Sequence, residues 1–160
     1  MKIALGADRM GFLTKEYIKQ CLVAKGYMVA DCGTLTPDNP ITHLVAADRV
    51  SEMIRRGECH FGILICRTGM GISIAANKHM GIYCALCEST TTARESRRIN
   101  NCNVLAIGGG IVDRELAMRM VEAFLDTTFA DGESPERCQI LQEQFDELKR
   151  LEFQKLLYKA

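Results

Sequence analysis

Residues 61–78 read FGILICRTGMGISIAANK, and this stretch decides the fold class of the chain. Its apolar beginning predicts a buried strand over Phe61–Cys66. A glycine-rich turn follows over 68–71, and small residues then predict a helix over Ile72–Lys78. A buried strand that turns through glycines into a helix is typical of a parallel sheet covered by helices.

The same alternation of strand and helix continues on both sides of this stretch. Apolar runs predict four further strands: Lys2–Ala7, Tyr27–Cys32, Ile82–Cys87 and Asn103–Ile107. Helical spacing predicts five further helices: Leu13–Lys25, Thr42–Arg56, Ser89–Ile99, Asp113–Leu125 and one from about Pro135 to Lys159. The sequence therefore predicts an α/β fold, a three-layer αβα, Rossmann-like, doubly wound parallel five-stranded sheet with a long C-terminal helix.

Two details of the helices are predicted from apolar spacing. The buried face of the first helix is predicted to carry Leu13, Tyr17, Cys21 and Ala24, and that of the second Leu44, Ala47, Val50, Met53 and Ile54. We predict one domain over 1–135 and a C-terminal helix over 136–160. Because about 20 helical residues span about 30 Å, this helix either caps its own domain or, as we prefer, packs on a partner subunit.

Composition excludes several classes of function. The chain has 160 residues, 48% of them hydrophobic and 25% charged, and its 20 Lys+Arg balance its 20 Asp+Glu. A chain without excess positive charge is a poor candidate for nucleic-acid binding, and apolar runs of about five residues are far too short to span a membrane. Since a strand follows the start directly, no signal peptide is visible, and we expect a cytoplasmic protein.

The eight cysteines are best explained, with one exception, as small buried hydrophobic residues. No signal peptide precedes them, so a reducing compartment is expected. Cys84 and Cys87 have the spacing of half a zinc site, but on a strand they point to opposite faces, and no metal site is predicted. The exception is Cys66, which ends the strand before the glycine turn.

The carboxyl end of the third strand has the chemistry of a reactive site. In a sheet of this kind ligands bind at the carboxyl ends of the strands. Backbone N–H groups of a glycine turn that opens a helix can hold an oxyanion, and the same positive end favours the thiolate of a cysteine. A thiolate beside such a site suits proton abstraction next to a carbonyl. The alternative, a buried cysteine before a phosphate-binding turn, stays open at this point.

Several stretches resemble the type B ribose-5-phosphate isomerases and the related galactose-6-phosphate isomerase subunits. The longest is Gly62 to Lys78, and the others are 1–12, Gly33-Thr34, Gly57-Glu58, Ala85-Leu86-Cys87, 100–105, Gly108-Gly109 and 115–117. The resemblance covers roughly residues 1–140. It implies a sugar-phosphate aldose–ketose isomerase that uses no cofactor and shares its active sites across a homodimer or homotetramer.

The resemblance also implies roles for individual residues. Cys66 is the base that moves a proton between C1 and C2 through an enediolate, and Thr68 stabilises that intermediate with the N–H groups of the turn. The remaining residues are expected to bind or position the substrate: Asp8 and Asn100 its hydroxyls, Gly69 and Gly71 the enediolate, Ser73 the loop, and Arg137 the phosphate.

The chain departs from the family pattern at positions that face the substrate. A family histidine that opens the sugar ring is Ile99 here, and a family tyrosine aligns near His43. Cationic positions are lost at Gly110 and Glu133 and gained at Arg9 and Arg67, so we predict that His43, Arg9 and Arg67 contact the substrate. A tetrose 4-phosphate needs no ring opening, because O4 carries the phosphate.

Three functions are compatible with these observations. The first is an active isomerase whose phosphorylated sugar differs from ribose 5-phosphate. The second is one subunit of a hetero-oligomer in which a paralogue supplies the missing groups. The third is a sugar-phosphate-binding protein without catalysis.

Overall fold

A computed structural model describes residues 1–157, so the predicted helix end at Lys159 lies outside the described residues. The strands are β1 (Lys2–Ala7), β2 (Met28–Asp31), β3 (Phe61–Cys66), β4 (Cys84–Cys87) and β5 (Val104–Gly108). The helices are α1 (Phe12–Ala24), α2 (His43–Arg55), α3 (Met70–Ala76), α4 (Thr90–Arg98), α5 (Arg114–Leu125) and α6 (Pro135–Leu157). The order of elements and the α/β fold class are as the sequence predicts.

The five strands form one parallel sheet in the order β2-β1-β3-β5-β4. Because all strands run the same way, their carboxyl ends lie along one side of the sheet, which we call the carboxyl edge. The loops after Ala7, Cys66 and Gly108 meet there. The opposite side, where the strands begin, is the amino edge.

Each face of the sheet carries its own apolar core. Alternate residues of β3 divide between the two: Ile63 and Ile65 pack with α1, α4 and α5, whereas Leu64 and Cys66 pack with α2 and α3. The same alternation separates Cys84 from Cys87, whose side chains enter opposite cores as predicted.

The predicted buried face of α1 is correct only in part: Tyr17 and Cys21 are half-buried against the core, but Leu13 and Ala24 are exposed. Leu13 is 79% exposed, and the buried residues are Thr14, Lys15, Ile18 and Leu22. The pattern failed because a lysine occupies a core position: the side chain of Lys15 is fully buried and pairs with Asp31. In α2 the predicted face is correct except at Leu44, which is 58% exposed.

Several element boundaries differ from the prediction by a few residues. β2 and β4 are each four residues long, shorter than the apolar runs that contain them. α3 begins at Met70, before the predicted Ile72, because Gly69 takes a left-handed conformation (φ +76°) that starts the helix directly after it.

The first part of α6 packs on the domain from which it emerges. Leu141 is buried, and the ring of Phe145 meets that of Tyr83 edge-on with centroids 5.0 Å apart. Farther along, the Glu152 carboxylate accepts hydrogen bonds from the Tyr83 hydroxyl (2.9 Å) and the Gly81 N–H (3.1 Å). Leu148 remains 42% exposed, so the predicted packing of this helix on a partner subunit stays a prediction.

Candidate active site

Cys66 is the last residue of β3, and its side chain is directed into the face of the sheet that α2 and α3 cover. The residue is 6% exposed. Its Sγ accepts a hydrogen bond from the N–H of Gly69 at 3.2 Å, and its carbonyl accepts one from the N–H of Gly109 at 2.9 Å. The sulfur is therefore held at the start of the glycine turn, beside a backbone donor.

The turn 67–69 wraps closely around the end of β5. An ideal Cβ on Gly69 would lie 2.4 Å from Cδ1 of Leu86 and 3.0 Å from the backbone N of Gly108, so only glycine fits. The Thr68 hydroxyl accepts the N–H of Met70 at 3.4 Å. Ser73, predicted to support the loop, donates its hydroxyl to the carbonyl of Met70 at 2.8 Å.

Asp8 lies at the same edge, directly after β1. Its Oδ1 accepts the N–H groups of Met10 (2.9 Å) and Gly11 (3.0 Å), which fixes the carboxylate at the turn into α1. An ideal Cβ on Gly11 would lie 2.4 Å from the carbonyl oxygen of Ile65. The turn that carries Asp8 therefore rests on the main chain of β3 one residue before Cys66.

His43 begins α2, behind the N-cap Thr42, whose hydroxyl accepts the N–H of Val45. Its ring lies over the glycine turn: an ideal Cβ on Gly71 would be 3.0 Å from Nε2 of His43. A glycine at position 71 thus leaves room for an imidazole close to the loop that follows Cys66.

Arg9 and Arg67 add positive charge to this edge. Both are exposed, and neither side chain forms an ion pair within residues 1–157. The stem of Arg67 lies against Gly110, where an ideal Cβ would be 3.2 Å from its Cγ. By contrast, Arg98 pairs with both Glu95 and Glu133, so its charge is neutralised within the chain.

Asn100 and Arg137 do not join this cluster. Asn100 follows the last turn of α4, which runs from the carboxyl edge to the amino edge, and the Asn103 carbonyl nearby accepts the N–H of Gly62 near the start of β3. Arg137 lies in the first turn of α6. The segment just before this helix is bound to the end of α4, because the Ala130 N–H donates to the carbonyl of Arg98. Cys66 lies four positions after Gly62 on β3, which is about 13 Å along the strand.

The predicted site is therefore divided between two edges of one chain. The carboxyl edge brings together nine of its residues: Asp8, Arg9, His43, Cys66, Arg67, Thr68, Gly69, Gly71 and Ser73. The amino edge holds Asn100 and Arg137. These two cannot reach the sulfur within the same chain.

The seven other cysteines are buried or half-buried. Burial raises the pKa of Cys32 to about 11 and that of Cys102 to about 12, and it also raises the pKa values of Cys59, Cys84 and Cys87. These thiols remain protonated near neutral pH, which agrees with a packing role. In residues 1–157 no group of three or more His, Cys, Asp or Glu is arranged to hold a metal ion.

Comparison with known proteins identifies the family. The profile described as Ribose/Galactose Isomerase matches residues 3–141. The chain belongs to the ribose/galactose isomerase family. It is thus an aldose–ketose isomerase by class, as the resemblance predicts.

Relatives in the ribose/galactose isomerase family act on sugars of different length. A 4-deoxy-4-sulfo-D-erythrose isomerase from Clostridium sp. (strain MSTE9) is 46% identical, with 82% of this chain and 83% of the relative covered. Ribose-5-phosphate isomerase B of Escherichia coli is 40% identical (88% and 93% covered), and a D-erythrulose-4-phosphate isomerase of Pectobacterium atrosepticum 38% (84% and 88%). The structure of Clostridium thermocellum ribose-5-phosphate isomerase B matches with a TM-score of 0.88 and 35% identity over 97% of this chain and 99% of that one.

Sequence reasoning missed two residues beside the site of this family member. Lys15 and Thr34 are each fully buried, and they contact one another through the Lys15 ammonium and the Thr34 carbonyl. A signal was present in the sequence, because Lys15 precedes Ile18 by three residues and Leu22 by seven, and so shares their face of α1.

Within residues 1–157 none of the helices combines the length and apolarity that a membrane crossing requires.

Proposed function

We propose that this isomerase converts a four-carbon sugar with a terminal sulfonate or phosphate between its aldose and ketose forms, with Cys66 as the base. The position of the Cys66 sulfur carries the proposal: it is buried at the strand end, accepts the Gly69 N–H at 3.2 Å, and lies next to the Thr68 turn. A hydrogen bond donated to the sulfur stabilises its anion, and the thiolate is the form that accepts a proton.

The chemical step needs one base and a donor for the developing oxyanion. The Cys66 thiolate takes the proton from C2 of the aldose, and the C–H electrons form the C1–C2 double bond while O1 becomes an oxyanion. Transfer of the O2 proton to O1 and return of the carbon-bound proton from Cys66 to C1 then give the ketose, with a hydroxyl on C1 and the carbonyl at C2. In this proposal the Thr68 hydroxyl and free N–H groups of the turn hold the enediolate oxygens, and Asp8 binds a hydroxyl farther along the sugar.

A four-carbon substrate explains why an apolar residue is acceptable at position 99. A longer aldose closes a furanose ring through O4, and an acid accelerates its opening. When C4 carries a sulfonate or its oxygen carries a phosphate, no O4 hydroxyl is free and the sugar stays open. Ile99 then replaces an acid that the reaction does not need. Two of the relatives are named for substrates of this length.

The division of the site between two edges supports a shared active site. We propose that the carboxyl edge of one protomer meets the amino edge of another, so that Asn100 and Arg137 come from the partner. Apolar side chains exposed at the carboxyl edge suit such a contact, among them Met10 (57% exposed) and Leu13 (79%). Arg137 of the second chain would then join Arg9 and Arg67 around the anionic end of the substrate.

Turnover on a panel of sugars tests the reaction. The purified protein is incubated in D2O with 4-deoxy-4-sulfo-erythrose, erythrose 4-phosphate, erythrulose 4-phosphate and ribose 5-phosphate, and NMR follows the ketose and deuterium at the exchanging carbon. We expect turnover of a four-carbon substrate and a loss of at least about 10³-fold in Cys66→Ala. An inactive wild type, or an active Cys66→Ala variant, would refute the proposal, and ligand binding without turnover would favour the non-catalytic alternative.

Subunit complementation tests the shared site. Cys66→Ala and Asn100→Ala chains, each inactive alone, are co-expressed so that mixed dimers form during folding. In a shared site half of the dimers are mixed and each of these has one intact site, so activity returns to about a quarter of wild type. No recovery would place the whole site within one chain. Activity that appears only with a paralogous chain would support the hetero-oligomer.

A further inference from the structure

Lys15 is enclosed within the protein among hydrogen-bond acceptors. Its side chain is 0% exposed, although it belongs to the first turn of a helix that is open to solvent on its other face. Its ammonium donates to both carboxylate oxygens of Asp31 (2.8 and 2.7 Å) and to the carbonyl oxygen of Thr34 (2.7 Å), and it pairs with Glu16 at 2.8 Å. All three N–H groups of the ammonium therefore have partners.

Asp31 ends β2 and collects donors from three directions. It accepts hydrogen bonds from Lys15, from Lys19 at 2.8 Å and from the N–H of Gly33 at 3.2 Å. Burial opposes ionisation of the carboxyl, but the two lysines outweigh it, and the pKa of Asp31 lies below its ordinary value. The carboxylate and the ammonium thus form a fixed ion pair at the carboxyl edge.

This ion pair holds one end of the segment 33–42. Thr34 is fully buried, its N–H donates to the carbonyl of Ala7 at 2.8 Å, and its own carbonyl receives the Lys15 ammonium. Its hydroxyl accepts the N–H of Ile41 at 3.2 Å, so the far end of the segment is bound to the near end. Between these points residues 35–40 are exposed.

The segment ends where His43 begins. Ile41 is followed by the N-cap Thr42 and then by His43, whose ring lies over Gly71 of the reactive turn. Two hydrogen bonds, from Lys15 to Thr34 and from Ile41 to Thr34, and the main chain of 41–43 therefore connect the ion pair to the residue that carries the imidazole. A buried ion pair stabilises a fold no more, and often less, than a well-packed apolar pair of the same volume. We therefore ask which part of the molecule the pair of Lys15 and Asp31 holds in place.

We propose that Lys15 and Thr34 are positioning residues that hold the His43 ring over the glycine turn, where it contacts the oxygens of the reacting sugar. The proposal rests on the proposed isomerase function. Neither Lys15 nor Thr34 touches the substrate, since both are fully buried. They act through the backbone of 34–42.

A single hydroxyl separates this role from general stabilisation. Thr34→Val removes the acceptor for the Ile41 N–H while keeping shape, and Thr34→Ser restores it. The matched control is Thr127→Val, because Thr127 is also buried and its hydroxyl also bonds to one backbone group, the carbonyl of Ala123 (2.7 Å). We expect similar losses of stability in urea for the two valine variants.

Enzymatic activity should distinguish the Thr34→Val variant from the Thr127→Val control. Thr34→Val is expected to lower kcat on the four-carbon substrate about tenfold, less than the roughly 100-fold that a misplacement of about 1 Å can cost. Thr34→Ser and Thr127→Val should stay within about twofold of wild type. In a His43→Ala background the Thr34→Val change should lower kcat by less than about twofold, because the positioned group is gone. Equal effects of Thr34→Val with and without His43 would overturn the proposal.

A readout without substrate keeps the test independent of the reaction. The imidazole NMR signals of His43 should shift in Thr34→Val and in Lys15→Met combined with Asp31→Asn, and return in Thr34→Ser. Signals unchanged in a folded Thr34→Val protein would overturn the proposal even if the wild type turned over no sugar. Failure of the isomerase proposal alone would appear as shifted signals without activity in any variant.

Discussion

Replacement of Gly69 by alanine tests how the sulfur of Cys66 is held. Gly69 has φ +76°, and an added Cβ would meet Leu86 Cδ1 at 2.4 Å and the Gly108 backbone N at 3.0 Å. Gly57 provides a matched control, because its φ is +69° and no atom lies within 4 Å of an added Cβ. The two variants share backbone strain, and only one adds a steric clash.

The expected magnitudes follow from these contacts. An alanine in the left-handed region costs about 1–2 kcal/mol, which is the whole expected effect of Gly57→Ala. Overpacking adds about 1–3 kcal/mol, so Gly69→Ala should lower the free energy of unfolding by about 2–5 kcal/mol. For a chain of 160 residues each kcal/mol lowers Tm by about 2–4 °C. The clash also displaces the Gly69 N–H from the sulfur, and a shift of about 1 Å can cost about 100-fold in rate.

Urea unfolding and steady-state kinetics measure both consequences on the same samples. Gly57→Ala should lose stability and keep its rate, whereas Gly69→Ala should lose more stability and most of its rate. If Gly69→Ala were no less stable than Gly57→Ala, the close approach to Leu86 and Gly108 would be wrong. If it were less stable but fully active, the Gly69 N–H would have no part in holding the sulfur.

Three further predictions concern a buried carboxylate, a buried thiol and an exposed arginine. Asp31→Asn should lower the free energy of unfolding by about 3 kcal/mol at pH 7. Because the folded pKa of Asp31 is depressed below 3.8, the difference from wild type should stay constant down to about pH 5 and shrink only as pH falls below about 4. Urea unfolding at stepped pH measures this difference. Cys102, with a pKa of about 12, should resist iodoacetamide at pH 8 in the native protein and react in urea, as mass spectrometry of its peptide would show; native labelling would contradict its burial. Arg67→Met should raise KM for an anionic sugar about fivefold with little change in kcat. The control is Arg55→Met, which should change neither constant, because the Arg55 guanidinium already pairs with Glu52. Equal KM values for the two variants would show that Arg67 does not bind the substrate.

The fold was predictable because its strands are short apolar runs separated by glycines and helices. This pattern gave the order of all the elements and the edge at which Cys66 lies. It did not predict the full buried face of α1, because a lysine in a helix is ordinarily expected at the surface and Lys15 is buried. The position of that lysine depends on Asp31, sixteen residues later in the chain and on a different element.

The site was predictable in part. The residues of the turn 66–71 are adjacent in sequence, so their proximity needed no knowledge of the fold. The placement of His43 over Gly71 depends on the path of the loop before α2, whose two ends are joined by the hydrogen bond from the Ile41 N–H to the Thr34 hydroxyl. The separation of Asn100 from Cys66 follows from helix direction, because α4 begins at the carboxyl edge and ends at the other.

Main chain approaches the end of β3 closely at two points. Gly11 approaches the Ile65 carbonyl, and Gly69 approaches the Gly108 backbone, with no side chain between them. Substitution of the exposed residues Arg9 and Arg67 is therefore expected to leave the close main-chain contacts around Cys66 in place. If Cys66 is the base, as proposed, the preferred sugar can change at these arginines while the position of the base is kept.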